Sequence, residues 1–206
     1  MQSVIEILIW LPAILIGLTF HEYAHGRVAY MLGDDTAYHQ GRLTLNPLPH
    51  IDWMGFFMLV IFKFGWAKPV QVNPLNFKNI SMKQGMMLVS LAGPVMNILI
   101  AFMGLIALRY LVSVQNQEWV SYVVTLLIPL IQINLILAAF NLIPLPPLDG
   151  SKILAGLLPD AGARVMYSLE QYGPIILLLL IVTGLTSKII WPLVNGMYAL
   201  LYNIVF

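Results

Sequence analysis

A run of apolar residues from Val4 to about Leu32 contains one charged residue, Glu6, before it reaches His21. The run has the length of a bilayer-crossing helix, and it ends at Gly33-Asp34-Asp35, where glycine is an expected helix stop. Ser3 to His21 corresponds to about 27 Å of helix at ~1.5 Å per residue, against a hydrocarbon thickness of ~30 Å. His21, Glu22 and His25 are therefore expected near the far interface, still within the depth of the membrane. Ionisable groups at that depth are rare and usually functional.

The rest of the chain agrees with a membrane setting. It is 60% hydrophobic and 9% charged with a mean hydropathy of +0.86, whereas soluble domains carry roughly 25% charged residues. The N-terminal run lacks a basic leader and an A-x-A-like site, so it is expected to be a retained span, not a signal peptide. A net charge of +1 without a Lys/Arg block gives no reason to expect nucleic acid. The chain has no cysteine, which excludes disulfides and thiolate ligands and leaves His, Asp and Glu for any metal.

Four further spans are expected at about 84–112, 120–142, 163–185 and 188–205. A loop and short helix at 143–159 interrupt them. Between the first two spans, Gly41-Arg42-Leu43-Thr44-Leu45-Asn46-Pro47 alternates and then turns, suggesting a short strand or hairpin. Trp53 to Phe64 is apolar but too short to cross, so a half-helix or a re-entrant piece is expected. Ala67 to Pro74 reads as extended. Open backbone at membrane depth must be covered by protein or face a wet cavity, so this segment is expected over the polar residues of the first span. The fold class is an α-helical multi-pass membrane protein with about five full transmembrane helices, a half-helix and a small membrane-associated β segment. It forms one domain over 1–206, with no recognisable sensor or peptide-binding module. Lys63, Lys68, Lys78 and Lys83 cluster between the first two spans, on the side of Arg27 and Arg42, while 113–119 has no Lys or Arg. The positive-inside rule puts 34–83 in the cytoplasm, the N-terminus outside and the pentad toward the cytoplasmic leaflet of the cell membrane. Trp53, Trp66, Trp119 and Trp191 fit interfacial anchors.

His21-Glu22-Tyr23-Ala24-His25 is an HExxH pentad, a zinc-hydrolase signature. Positions i and i+4 lie about 40° apart around a helix, so His21 and His25 can chelate one metal. Glu22, offset by roughly 100°, suits a base for water bound to that metal. The bland alternative is a pair of bundle histidines with Glu22 paired to Arg27. A catalytic zinc needs a third protein ligand. Asp34, Asp35 and Asp52 lie in the cytoplasmic segment, Asp160 and Glu170 flank a helix start, and His39 and His50 read as loop histidines. Asp149 follows the proline-rich break Asn141-Leu-Ile-Pro144-Leu-Pro146-Pro147-Leu on the pentad's side. Spacing leaves it open between zinc ligand and N-cap of a helix at 150–158. Asn97 stands in an apolar span three residues after Pro94. It is either interhelical glue or a residue behind the metal ligands that reaches the Asp149 loop. Gly93 reads as a site of close helix packing. Asn141 by itself reads as a helix C-terminal Asn.

His21-Glu22-Tyr23-Ala24-His25-Gly26, Gly93-Pro94-Val95-Met96-Asn97 and Asn141 through Gly150 resemble, in order and each in the expected span, the three motifs of the site-2 protease family of intramembrane zinc metalloproteases. They cover a core of about 3–158, with 163–205 outside it. Gly33-Asp34 and Phe64-Gly65-Trp66-Ala67-Lys68-Pro69-Val70 resemble the compact bacterial branch, which lacks PDZ and CBS domains. The resemblance implies one Zn2+ per chain held by His21, His25 and Asp149, with Glu22 as general base and Asn141 binding the scissile carbonyl. It implies hydrolysis of transmembrane segments of membrane-protein substrates, which would reach the zinc from the lipid while water enters from the cytoplasm. A substrate helix must unwind to expose its carbonyl, and 41–45 or 67–72 could offer it an edge for strand addition. Two other readings follow from the residues: a non-catalytic membrane zinc scaffold or metal-handling protein, and an HExxH protease of another type with Glu as third ligand.

Overall fold

The computed structural model describes residues 4–62, 65–114 and 117–206. Ser3, Lys63 and Phe64, which entered the span length, the charge count and the resemblance, lie outside the described residues. Helix α1 (Val4–Met31) carries the first apolar run and stops where the sequence suggests. Gly33 adopts φ 104°, which a side chain resists. That turn lets the Asp34 amide bond back to the Ala29 carbonyl at 3.0 Å.

Helix α2 (Thr36–His39) is a single turn. Helix α3 (Trp53–Phe62) is the expected half-helix. Its first turn is capped by Asp52, whose Oδ1 accepts from the Gly55 amide at 2.9 Å. Helices α4 (Met82–Ser113) and α5 (Glu118–Asn141) are the next two long apolar elements. Ser81 begins α4 by accepting the Gln84 amide at 3.2 Å, an N-cap bond. α6 (Asp149–Leu157), α7 (Asp160–Ser168), α8 (Gly173–Val182) and α9 (Leu185–Val205) complete the chain.

Helices α1, α4 and α5 pack on one another, with α6 on α4 and α9 on α5. The largest apolar cluster joins Ala101 and Leu105 of α4, Ile131, Leu135 and Ala139 of α5, and Val194, Leu201 and Val205 of α9. Arg109 of α4 donates to the Val205 carbonyl, which ties off the end of α9.

Two expectations change. Among the described residues three helices are long and apolar enough to cross a membrane, α1, α4 and α5, or four if the bent pair α7 and α8 is one span. The expected 163–185 span is instead broken, with α7 and α8 bent by 69°. Pro174 near the start of α8 lacks an amide donor and cannot continue α7. Gly173 sits so close to the Pro146 carbonyl that a Cβ would lie 2.3 Å from its oxygen. α9 has 21 residues, but it is not among the helices apolar enough over their length to cross. The five-span count therefore reduces to three or four.

The expected strand at 41–47 is a series of turns, and the described residues contain no β-strand. Thr44 Oγ1 accepts the Asn46 amide at 3.1 Å and Asn46 Oδ1 accepts the Leu48 amide at 3.1 Å. These local bonds compete with a ladder. One antiparallel bridge, Ile51 with Ala67, joins the loop to the extended segment, and Pro69 and Pro74 cannot donate to extend it.

Candidate metal centre

The pentad lies on α1 inside the bundle, with His21 and His25 5% and 8% exposed. α6 begins at Asp149, so this carboxylate is the first helical residue, and no side chain caps α6. Asp149 Oδ2 lies 3.1 Å from His21 Nε2 and 3.2 Å from His25 Nε2. A tetrahedral ion with ligands at ~2.0–2.1 Å separates them by about 3.4 Å. Two imidazole nitrogens and a carboxylate oxygen at this spacing fit zinc, and they form the one such His/Asp/Glu group among the described residues.

Both rings are held from behind. His25 Nδ1 donates to the Val89 carbonyl at 2.7 Å, so its Nε2 carries the free lone pair. His21 Nδ1 lies 2.6 Å from Asn97 Oδ1. Asn97 Nδ2 donates to Gly17 O at 3.0 Å and to Asn134 Oδ1 at 2.8 Å. Asn134 Nδ2 in turn donates to Leu130 O at 2.8 Å. Asn97 is thus bound to α1 and α5, not to the Asp149 loop as one reading of the sequence had it. Gly93 packs against the two rings, and a Cβ there would lie 2.5 Å from His21 Cε1 and 2.6 Å from His25 Cε1.

The His21, His25 and Asp149 group opens into a cavity of about 220 Å3 lined by Glu22, Val70, Val72, Ser90, Asn141 and Lys152, among others. Glu22 Oε2 accepts the Val70 amide at 2.8 Å. No ion pair joins it to Arg27 among the described residues, and the Arg27 guanidinium stacks over Tyr30 at 5.7 Å. Asn141 lines the cavity, but its Nδ2 donates back to Leu137 O at 3.0 Å. His39 pairs with Asp35 at 3.2 Å on the surface. His50 is buried and donates from Nε2 to Thr44 O at 2.9 Å. Asp160 pairs with Lys83 at 3.0 Å. None of these alternative ligands joins the centre.

The segment 67–76 forms a strap along the cavity, which Pro69, Val70 and Val72 line. Buried Asp34 anchors it, accepting from Asn73 N at 2.7 Å and Asn76 Nδ2 at 2.9 Å as well as from Thr36 Oγ1 at 2.5 Å. Burial pushes the Asp34 carboxyl up, but these bonds outweigh it and hold the group below the usual carboxylate range. Asn134, Val89 and the anchoring role of Asp34 escaped the sequence reading. For Asn134 a signal existed, a lone amide in an apolar span like Asn97. Val89 acts through a backbone group, which leaves no residue-type pattern, and the partners of Asp34 at 73 and 76 are set by how the chain folds back.

The model of peptidase family M50 matches residues 9–183. The protein named Putative zinc metalloprotease YwhC, from Bacillus subtilis (strain 168), is 44% identical over 187 residues, 89% of this chain and 84% of its own length. Putative zinc metalloprotease Rip2 from Mycolicibacterium smegmatis is 29% identical over 183 residues, 87% of this chain and 69% of its own length. No solved structure matches.

Proposed function

This chain belongs to peptidase family M50 and is a zinc metalloprotease with membrane helices, and from that premise we propose that it hydrolyses peptide bonds within transmembrane segments of membrane proteins. The observation that carries the reading is the meeting of Asp149, at the start of α6, with His21 and His25 beside Glu22 on α1, an apolar helix of crossing length.

In this reading His21, His25 and Asp149 hold one zinc ion per chain. Zinc, when bound in such a site, lowers the pKa of a coordinated water to about 7 and polarises a carbonyl. Glu22 accepts the proton of the attacking water and passes it to the leaving amine. Its Oε2 is held by Val70, and Oε1 has no partner among the described residues, so Oε1 is the atom free to take the proton. Asn141 binds the scissile carbonyl once its amide turns away from Leu137.

The strap supplies the place where an unwound substrate pairs. Val70 and Val72 line the cavity while Gln71 between them lines a separate pocket, as side chains alternate along an extended segment. Among the described residues the Val70 carbonyl and the main-chain groups of Gln71 and Val72 have no partner, which favours 67–72 over 41–45 for strand addition. We read the chain as one domain in the cell membrane. Lys68, Lys78 and Lys83 then put the centre toward the cytoplasmic leaflet and the N-terminus outside.

The test is co-expression of wild type and Glu22→Ala with an epitope-tagged single-span protein. Cleavage by wild type alone supports the reading, and equal cleavage by both overturns it. Comparing membrane proteomes of the same two strains would identify the substrates, which should accumulate uncut in the Glu22→Ala strain.

A further inference from the structure

Arg42 is 4% exposed and pairs with no carboxylate among the described residues. Its guanidinium instead grips the strap. Nη2 donates to Lys68 O at 2.5 Å and Nη1 to Pro69 O at 3.3 Å. Nη2 also faces His50 Nδ1 at 3.4 Å. His50 gives its Nε2 proton to Thr44 O, so its Nδ1 is an acceptor and supports the arginine from behind. A buried charge with only neutral partners is costly to hold, and the position needs a reason.

The Pro69 carbonyl that Arg42 holds and the Val70 amide that Glu22 holds belong to one peptide unit. A cation on the oxygen and a carboxylate on the N–H polarise the same group from both ends. Each bond strengthens the other, since hydrogen bonds in a chain are cooperative. Burial disfavours the Arg42 charge, and the Glu22 carboxylate is the charge that opposes this.

We propose that Arg42 is a positioning residue for the protease reaction, acting on Glu22 through the Pro69–Val70 peptide group. Its role is to hold that peptide so that the Val70 amide fixes Glu22 Oε2 and leaves Oε1 turned to the attacking water. The inference rests on the reading of Glu22 as the base. A loop-stabilising arginine would need only some pair of carbonyls. The positioning role needs this carbonyl, because its peptide carries the amide that reaches Glu22.

The experiment is a double-mutant cycle on the full zinc-loaded chain. Turnover of a reconstituted single-span reporter, one that wild type cuts and Glu22→Ala does not, is measured for wild type, Arg42→Met, Val70→Pro and the double variant. Val70→Pro removes the amide that reaches Glu22 and leaves Arg42 in place. Losing a hydrogen bond to a charged group should lower kcat roughly 10- to 100-fold in each single variant. In the Val70→Pro background, Arg42→Met should then cost under about twofold. Arg42→Lys, which keeps the charge but not the fork, should fall between wild type and Arg42→Met. An equal loss from Arg42→Met in both backgrounds overturns the inference, as does loss of zinc from Arg42→Met.

A second arm needs no substrate. Amide hydrogen exchange at Val70 should speed up at least tenfold in Arg42→Met and in Glu22→Gln, and an unchanged rate in Arg42→Met overturns the inference. If no reporter is cut by wild type, the protease reading itself fails, and the exchange arm still decides whether Arg42 and Glu22 share this peptide.

Discussion

His21 Nδ1 lies 2.6 Å from Asn97 Oδ1, and this contact sets which nitrogen of His21 is left for a metal. The direction of the amide chain follows from its far end. Leu130 O can only accept, so Asn134 presents its nitrogen there and its oxygen to Asn97. Asn97 therefore presents its oxygen to His21, which must donate from Nδ1. The Nε2 lone pair is then free toward Asp149 and His25. Three amide or ring groups on three helices thus select one tautomer at the centre of the site.

Asn97→Leu is expected to weaken zinc binding roughly 10- to 100-fold, the usual cost of losing the partner behind a metal-bound histidine. Asn134→Leu should weaken it in the same direction by less, since Asn97 keeps its Gly17 bond. Titration against a competing chelator measures both. Wild-type affinity in Asn97→Leu would show that the helix environment alone orients His21.

Gly93→Ala is expected to remove zinc while the bundle still folds. The added Cβ would lie 2.5 Å from His21 Cε1 and 2.6 Å from His25 Cε1, far inside ordinary contact distance, so both rings must move. Metal analysis of the purified protein, with circular dichroism for helix content, separates loss of the site from loss of the fold.

Asp149→Ala should leave zinc well below one per chain, because it removes the oxygen that stands 3.1 and 3.2 Å from the two imidazoles. Zinc that stays stoichiometric in Asp149→Ala would place the third ligand elsewhere and revive the reading with a glutamate ligand.

Asp34→Asn is expected to loosen the strap. The buried carboxylate accepts from Thr36, Asn73 and Asn76, and an amide cannot accept all of these bonds. The cost should be about 1–3 kcal/mol, read as faster amide exchange over 73–76. The pH dependence has a definite sign. A carboxyl held below its ordinary value stabilises the fold above the unfolded pKa of ~3.9. That contribution is lost as pH falls through the folded pKa. The strap should therefore stay attached at pH 5 and loosen below about pH 4 in wild type, with no such acid step in Asp34→Asn.

Parts of the fold were legible because they depend on local chemistry. The half-helix at 53–62, the stop at Gly33 and the long apolar helices around 84–112 and 120–142 follow from apolar run length and glycine. The 41–47 strand failed because Thr44 and Asn46 bond their own backbone, and a two-residue alternation cannot show that. The unbroken helix expected at 163–185 failed because hydropathy sums over Gly173-Pro174, where close packing on Pro146 and the missing proline donor bend the chain.

By itself the sequence determined the membrane setting and the pair His21 and His25, because helical periodicity places i and i+4 on one face whatever surrounds them. Only the tertiary structure decided how Asp149 stands toward that pair, since a carboxylate 128 positions from His21 meets it through the packing of α1, α4 and α6. It also decided how Glu22 and the rings are held, by Val70 and Val89 backbone groups and the Asn97–Asn134 pair. Every residue carries the same backbone groups, so their use in a site depends on where the chain is folded and leaves no mark in the residue order.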